Sequence, residues 1–214
     1  MHILLTGGTG LIGSALCHYW QAAGHQLSVL SRYPPEVSRR CGPRVRGIAC
    51  LDELDDGPLD VVINLAGAPI AERTWSPSRK ALLRDSRVAL THHLVDWLAS
   101  RSQRPAVLLS GSATGFYGDT GELAVTEVQP AGTDFGSRLC ADWEEAARRA
   151  VSLGIRVVLL RTGLVIAARG GFLSKLLPAY RFGLGGRLPK SLPSHPSYGP
   201  PRLPSLRPCG SALG

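Results

Sequence analysis

Gly7, Gly10 and Gly13 stand three residues apart, directly after the apolar run Ile3-Leu4-Leu5-Thr6 and directly before Leu11 and Ile12. Those two residues open a helical stripe that continues through Ala15, Leu16, Tyr19 and Trp20. Glycines alone mean little in a chain that carries 25 of them. Between a strand and an amphipathic helix they have a specific use. A tight turn lets a diphosphate approach the backbone, and the free N–H groups at the helix start meet it with the positive end of the helix dipole. The dipole adds only about 0.3–2 kcal/mol per contact, so close approach is the larger effect. The spacing predicts nucleotide binding at Gly7, Gly10, Leu11, Ile12 and Gly13.

The second strand of such a unit ends about 20 residues beyond the glycine turn, and its last residue meets the adenosine ribose. Residues 26–30 fill that place and run into Ser31-Arg32-Tyr33. An NAD site would carry Asp or Glu here for the ribose 2′-OH. A hydroxyl and a guanidinium suit a 2′-phosphate instead, through charge-assisted hydrogen bonds. Ser31 and Arg32 therefore predict NADP(H), with Arg39 and Arg40 adding to the field. The competing reading of Arg32 is an ordinary solvated residue at a strand end.

Elements that hold these groups follow from the same pattern. Residues 60–64 read as a buried strand ending in Asn64 and running into Leu65, Ala66 and Gly67, where small side chains let the backbone pass close to the dinucleotide; all four join the predicted cofactor contacts. Further strands are expected at 45–49, 106–110 and 155–160, with a helical turn over 51–56. Residues 33–44 read as basic and irregular. Ser76 and Pro77 look like an N-cap and first helical position. That helix runs to about residue 100, with Leu83, Leu90, Leu94 and Leu98 on one stripe. A second helix spans 135–153, ended by Gly154, and a third covers 171–182, interrupted by Pro178. Strands alternating with helices imply an α/β fold, a Rossmann-type doubly wound parallel sheet.

The chain has 214 residues, 44% of them hydrophobic, enough for one such domain. No apolar stretch reaches membrane-spanning length, and the N-terminus has neither a basic n-region nor a cleavage site. A cytoplasmic protein that begins at its first strand is expected. Five cysteines without CxxC spacing fit reduced thiols. No metal site is predicted: His92 and His93 are adjacent on a helix and diverge by about 100°. The net charge of +8 is unevenly spread, with 13 Lys/Arg and 16 Asp/Glu in residues 1–145 against 11 Lys/Arg and no acid in 146–214. The basic residues form no run and carry no interleaved aromatics, so neither nucleic acid nor a membrane is an expected partner. From residue 189 the composition breaks, with seven prolines, five serines and no acid. Residues 1–188 are read as an NADP(H)-binding domain and 189–214 as an irregular or disordered tail.

With these elements placed, the chain resembles the extended short-chain dehydrogenase/reductases, and within them the sugar-nucleotide epimerase branch. The carrying residues are Thr6-Gly-Gly-Thr-Gly-Leu-Ile-Gly13, Asn64-Leu-Ala-Gly-Ala-Pro-Ile70, Ser86-Arg87 with Thr91, and Ser110-Gly-Ser-Ala-Thr-Gly-Phe-Tyr-Gly118. Asp134-Phe135, Trp143-Glu144, Arg161-Thr-Gly163 and Gly183-Leu-Gly-Gly-Arg187 complete them. The resemblance implies that Gly7, Gly10 and Gly13 hold a pyrophosphate and Arg32 the adenosine phosphate. It places Ala66 and Gly67 beside the adenosine-side ribose, and Ser110 and Ser112 beside the nicotinamide. It also implies a small-molecule substrate and a homodimer through helices at 77–100 and 135–153, although the apolar stripes on those helices are equally what sheet packing requires.

Two departures bear on activity. The superfamily's Tyr-x-x-x-Lys pair occurs nowhere in this sequence; the corresponding place reads Phe135-Gly-Ser-Arg-Leu139. A surrogate acid/base is Tyr117, with Ser112 or Thr114 positioning the substrate oxygen. Family members also continue past the Gly-Leu-Gly-Gly segment into a substrate lobe, which the proline-rich tail replaces, as a shifted frame or early truncation would produce. Two readings stay open: an NADP(H)-dependent epimerase or oxidoreductase, and a dinucleotide-binding sensor or inactive product.

Overall fold

Ile3 and Leu5 point to one face of the first strand and Leu4 to the other, and all three are buried. A strand apolar on both faces belongs inside a parallel sheet covered on both sides. The computed structural model, which describes residues 1–70, 72–165 and 167, has that sheet. Its strands are β1 (His2–Thr6), β2 (Gln26–Leu30), β3 (Arg46–Ile48), β4 (Val61–Asn64), β5 (Val107–Ala113) and β6 (Arg156–Thr162). They lie in the order β3-β2-β1-β4-β5-β6, each pair parallel. Helices α1 (Leu11–Ala22) and α2 (Pro35–Cys41) cover one face, over Ile3, Leu5, Leu27, Val29 and Ile63. Helices α4 (Leu90–Ser100) and α5 (Phe135–Arg148) cover the other, over Leu4, Val62 and Leu108. The doubly wound architecture predicted from the sequence is present.

Segment 33–44, expected to be irregular, contains α2. Pro35 occupies a first-turn position, where its missing N–H costs nothing. Val37 and Cys41, four apart, bury one face, while Glu36 meets Arg39 at 3.4 Å and Arg40 at 3.3 Å. Basic content concealed a short amphipathic helix. Cys17, Cys41, Cys50 and Cys140 are unpaired, and burial among apolar neighbours, with Cys41 beside it, pushes the Cys17 thiol up to about 12.

The long helix after Ser76 is broken in register. Ser76 Oγ accepts from Arg79 N at 3.2 Å and caps α3 (Pro77–Arg84), but a π turn over Asp85–Ala89 separates α3 from α4. One π turn inserts a residue, so burial steps from Leu83 to Val88 and then to Thr91. Leu90, expected on the core stripe, is only half-buried as a result. The helix over 135–153 is α5 followed by a 3₁₀ stretch, Arg149–Leu153, and Gly154 ends it at φ +78°, in the left-handed region. The expected helix over 171–182 and the tail from 189 lie outside the described residues.

Strands β5 and β6 run beyond their predicted ends and pair Ser112 with Arg161. Glu144 of α5 is wholly buried against this pair. Arg161 clasps it with both arms of its fork, Nε to Oε1 at 2.7 Å and Nη2 to Oε2 at 2.8 Å. Ser112 Oγ donates to Oε1 at 2.7 Å, and Arg148 reaches Oε2 at 3.3 Å. Burial alone would raise the Glu144 pKa; the bonds from Arg161 and Ser112, with the arginine charges, outweigh it and hold the carboxyl below its usual range. Arg161→Leu leaves that buried carboxylate with only the more distant Arg148 as counter-charge and should cost about 3 kcal/mol in urea unfolding. A carboxyl depressed on folding stabilises fully above the ordinary range and loses that contribution as pH falls through its folded-state value. The melting temperature should therefore fall as pH drops below about 4.5, and Glu144→Gln should flatten that acid arm.

Candidate functional site

The strand order reverses between β1 and β4. The connection leaving β1 crosses to one face and that leaving β4 to the other, which opens a crevice at the carboxyl ends of the strands. Three sets of residues border it: the glycine turn after β1, the loop after β4, and the ends of β5 and β6.

The three glycines of the turn have different reasons to be glycine. Gly7 has φ +70°, and a Cβ there would lie 2.6 Å from the Leu65 backbone. A Cβ on Gly13 would overlap Gly7 O and stand 2.6 Å from Gly8 Cα, so its absence lets α1 pack on the turn. Gly10, with φ −76°, would meet only Gly7 O at 3.2 Å. It is the exposed N-cap of α1, its neighbours Leu11 and Ile12 are exposed too, and no side chain caps the helix. The first-turn N–H groups of a 12-residue helix thus stand at the crevice mouth without a side-chain cap among the described residues.

At the end of β2, Ser31 Oγ accepts from Tyr33 N at 3.1 Å. Arg32 is exposed and makes no ion pair among the described residues. Of the two arginines expected to add to the field, Arg40 reaches the glycine turn, donating to Thr9 O at 3.3 Å, while Arg39 turns to Glu36.

Beneath the crevice runs a row of buried polar side chains. Thr6, Asn64 and Ser110 are register partners on β1, β4 and β5. Thr6 Oγ1 donates to Asn64 Oδ1 at 2.7 Å; Asn64 Nδ2 donates to Thr91 Oγ1 at 2.7 Å and Ser110 Oγ at 3.2 Å. Trp143 Nε1 donates to Thr91 Oγ1 at 3.0 Å, and Thr91 Oγ1 donates on to Arg87 O at 2.6 Å. Asn64 and Ser110, expected among cofactor contacts, are wholly buried with side chains facing protein; they form the floor of the crevice. Leu65, Ala66 and Gly67 follow at its rim, with Ala66 N held by Thr6 Oγ1 at 3.2 Å and Gly67 exposed.

Ser112 and Tyr117 come together through Arg161, which the sequence marked as part of a motif but gave no role. Arg161 Nη1 donates to Tyr117 OH at 2.8 Å while the same guanidinium grips Glu144, which holds Ser112. The guanidinium stacks 3.6 Å over the Phe116 ring. The Glu144 hydrogen bond draws the Arg161 pKa further upward. The signal for Glu144 was readable: a lone carboxylate within the apolar face formed by Leu139, Cys140, Trp143, Ala146 and Ala147. Phe135 opens α5 behind the cap Asp134, whose Oδ1 accepts from Ser137 N at 2.9 Å, and packs edge-on to Trp75 at 5.3 Å. Neither Phe135 nor Leu139 offers a proton.

Known proteins resemble this chain in sequence and fold. The sequence profile of the NAD dependent epimerase/dehydratase family matches residues 3–185. An epimerase family protein of Mycobacterium bovis is 40% identical over 189 residues, covering 87% of this chain and 61% of its own length. The human epimerase family protein SDR39U1, whose crystal structure contains NADPH, superposes with a TM-score of 0.73 at 31% identity, over 87% of this chain and 61% of that one. A nucleoside-diphosphate sugar epimerase from Corynebacterium glutamicum gives 0.71 at 34% identity, over 88% of this chain and 39% of that one. The chain therefore spans less than two thirds of each of these relatives. A glycine turn on β1, a polar floor beneath the switch point and a family profile across most of the sequence converge: the chain belongs to the NAD dependent epimerase/dehydratase family.

Proposed function

We propose that this protein is an NADP(H)-binding oxidoreductase of the epimerase kind, acting on a sugar nucleotide or another small carbonyl or alcohol compound in the cytoplasm. The observation that carries the reading is the pairing of an uncapped α1 N-terminus with Arg32, at a strand end that bears no Asp or Glu. Gly10 tests the fit: its backbone angles suit any residue, so a glycine here keeps the space where a diphosphate would lie. Gly7, Gly10, Leu11, Ile12 and Gly13 would hold that diphosphate, Ser31, Arg32 and Arg40 the adenosine phosphate, and Leu65, Ala66 and Gly67 would flank the dinucleotide. The NADPH in the human relative supports the choice of cofactor. Bound here, NADP(H) would supply hydride exchange with a substrate carbon.

The chain's own groups divide the proton work. Tyr117 accepts a hydrogen bond from Arg161, which leaves its own O–H to be directed at a substrate oxygen. The Ser112 proton is committed to Glu144, so Ser112 meets substrate as an acceptor only. Glu144 stays ionised and orients both. A homodimer through the helical segments 77–100 and 135–153 belongs to the same proposal. One observation favours the second reading, binding without turnover: Phe135 and Leu139 stand where the superfamily carries its tyrosine and lysine.

Titration of NADPH by fluorescence, followed by a panel of carbonyl compounds and nucleotide sugars, separates the two; tight binding without oxidation selects the second. Arg32→Asp should weaken NADPH by ~10- to 100-fold and favour NADH, the worth of a charged hydrogen bond. An unchanged preference removes Arg32 as the selector. Gly10→Ala should weaken NADPH about tenfold or more with little change in melting temperature, whereas Gly13→Ala should lower the melting temperature as well. On any compound that turns over, Tyr117→Phe should lower kcat by roughly 10²–10⁴ with NADPH affinity retained.

A further inference from the structure

Two arginines at the rim of the crevice take no part in the machinery above. Arg87 sits on the π turn, which aims it at the loop after β4. Its guanidinium lies against the backbone at Gly67, where a Cβ would come within 2.8 Å of Cζ. It donates to Ala68 O at 3.0 Å, Leu83 O at 3.3 Å and Ser86 Oγ at 3.4 Å, and lies 5.4 Å from the Trp143 ring centroid. No carboxylate among the described residues pairs with it. Arg79, from α3, is only 10% exposed; it donates to Pro69 O and stands 3.8 Å from Glu72. Its Nε is a buried polar atom without a hydrogen-bond partner among the described residues.

Two desolvated guanidiniums share this loop against one half-exposed carboxylate. Backbone carbonyls answer their N–H groups, not their charge. Each cation makes the other more costly, and burial together with the Arg79 charge lowers the Arg87 pKa. A net positive charge is left at this loop, which an anion from outside would answer. Location says from which molecule. Arg87 borders Trp143 and Cys140, and the Cys140 thiol both feels its charge and bonds the backbone of Ala113, next to Ser112. That is the β5–α5 side, across the β4 loop from the α1 N-terminus. Resting on the substrate-converting reading above, we infer that Arg79 and Arg87 form an oxyanion subsite of the substrate pocket, taking a carboxylate or phosphate carried by the substrate. The Arg79 Nε–H supplies one donor, and the Arg87 fork supplies a second cation held in place by Ala68 O.

Inorganic phosphate and acetate are the probes, titrated at constant ionic strength into the free and the NADPH-saturated protein. The readouts are melting temperature and the ¹H–¹⁵N resonances of the arginine Nε–H groups. Phosphate or acetate should bind both forms and shift the Arg79 Nε–H resonance. Arg87→Gln and Arg79→Gln should each weaken that binding about tenfold or more, with Arg87→Lys in part restoring it and NADPH affinity changing less than twofold. Phosphate excluded by NADPH, or a tenfold loss of NADPH affinity in Arg87→Gln, would give the pair to the cofactor and overturn the inference. So would the absence of any shift with either anion. If NADPH fails to bind at all, the functional reading falls alone, because the phosphate titration of the free protein still decides the arginine pair. Should Arg87→Gln not fold, Arg79→Gln decides it by the same measurements.

Discussion

A parallel sheet delivers its carboxyl ends to one edge, and the groups buried there must all find partners. In this chain the requirement falls on Thr6, Asn64 and Ser110, side by side on three adjacent strands. Asn64 has an acceptor on one side of its amide and donors on the other, and both are used within the row. The row closes only if Thr91 stands above it and Trp143 reaches over Thr91. An unsatisfied amide in that position would cost about 1–3 kcal/mol, enough to select one placement of α4 and α5 over neighbouring ones. The crevice inherits its shape from this condition, because its floor is the row itself.

The π turn follows from the same constraint. A regular helix from Ser76 would bring residues 83, 87, 90 and 94 to the sheet, placing Arg87 where an apolar side chain is needed. Insertion of one residue puts Val88 and Thr91 inward instead. Ser86 and Arg87 are then left facing the loop after β4, where Ser86 Oγ accepts from Ala68 N at 2.9 Å. A defect in helical register thus supplies the polar rim of the crevice, which accords with the frequency of π turns at functional sites.

The parts of this fold that could be read from the residues are those with a local cause. The glycine turn, the six strands and the caps at Ser76 and Gly154 each depend on neighbours a few positions away. The capping of α5 by Asp134 has an equally local cause but was not read in advance. What escaped detection depends on contacts far along the chain. Helix α2 was hidden because arginines at positions 39 and 40 resemble a solvated loop until Glu36 is placed three and four residues before them. The π turn has no signature in hydrophobic spacing, since Leu83, Leu90 and Leu94 fit a regular helix equally well. Glu144 and Arg161 are 17 residues apart and meet only because β6 lies beside β5.

The ends of β5 and β6 show how a site can hold polar groups without the familiar tyrosine and lysine. A lysine beside a phenol does two things: it fixes the hydroxyl and favours loss of its proton. Arg161 does the first at 2.8 Å, and its own orientation is locked by two bonds to a buried carboxylate and by the Phe116 face. Its charge, however, is largely answered by Glu144, so the field left for Tyr117 is weaker than that of an unpaired ammonium. The same ion pair takes the Ser112 proton inward, so both hydroxyls hold fixed hydrogen-bonding directions before any ligand arrives. Preorganisation of that kind is what a reacting carbonyl requires of its surroundings, and here it rests on one glutamate placed in an otherwise apolar helix face.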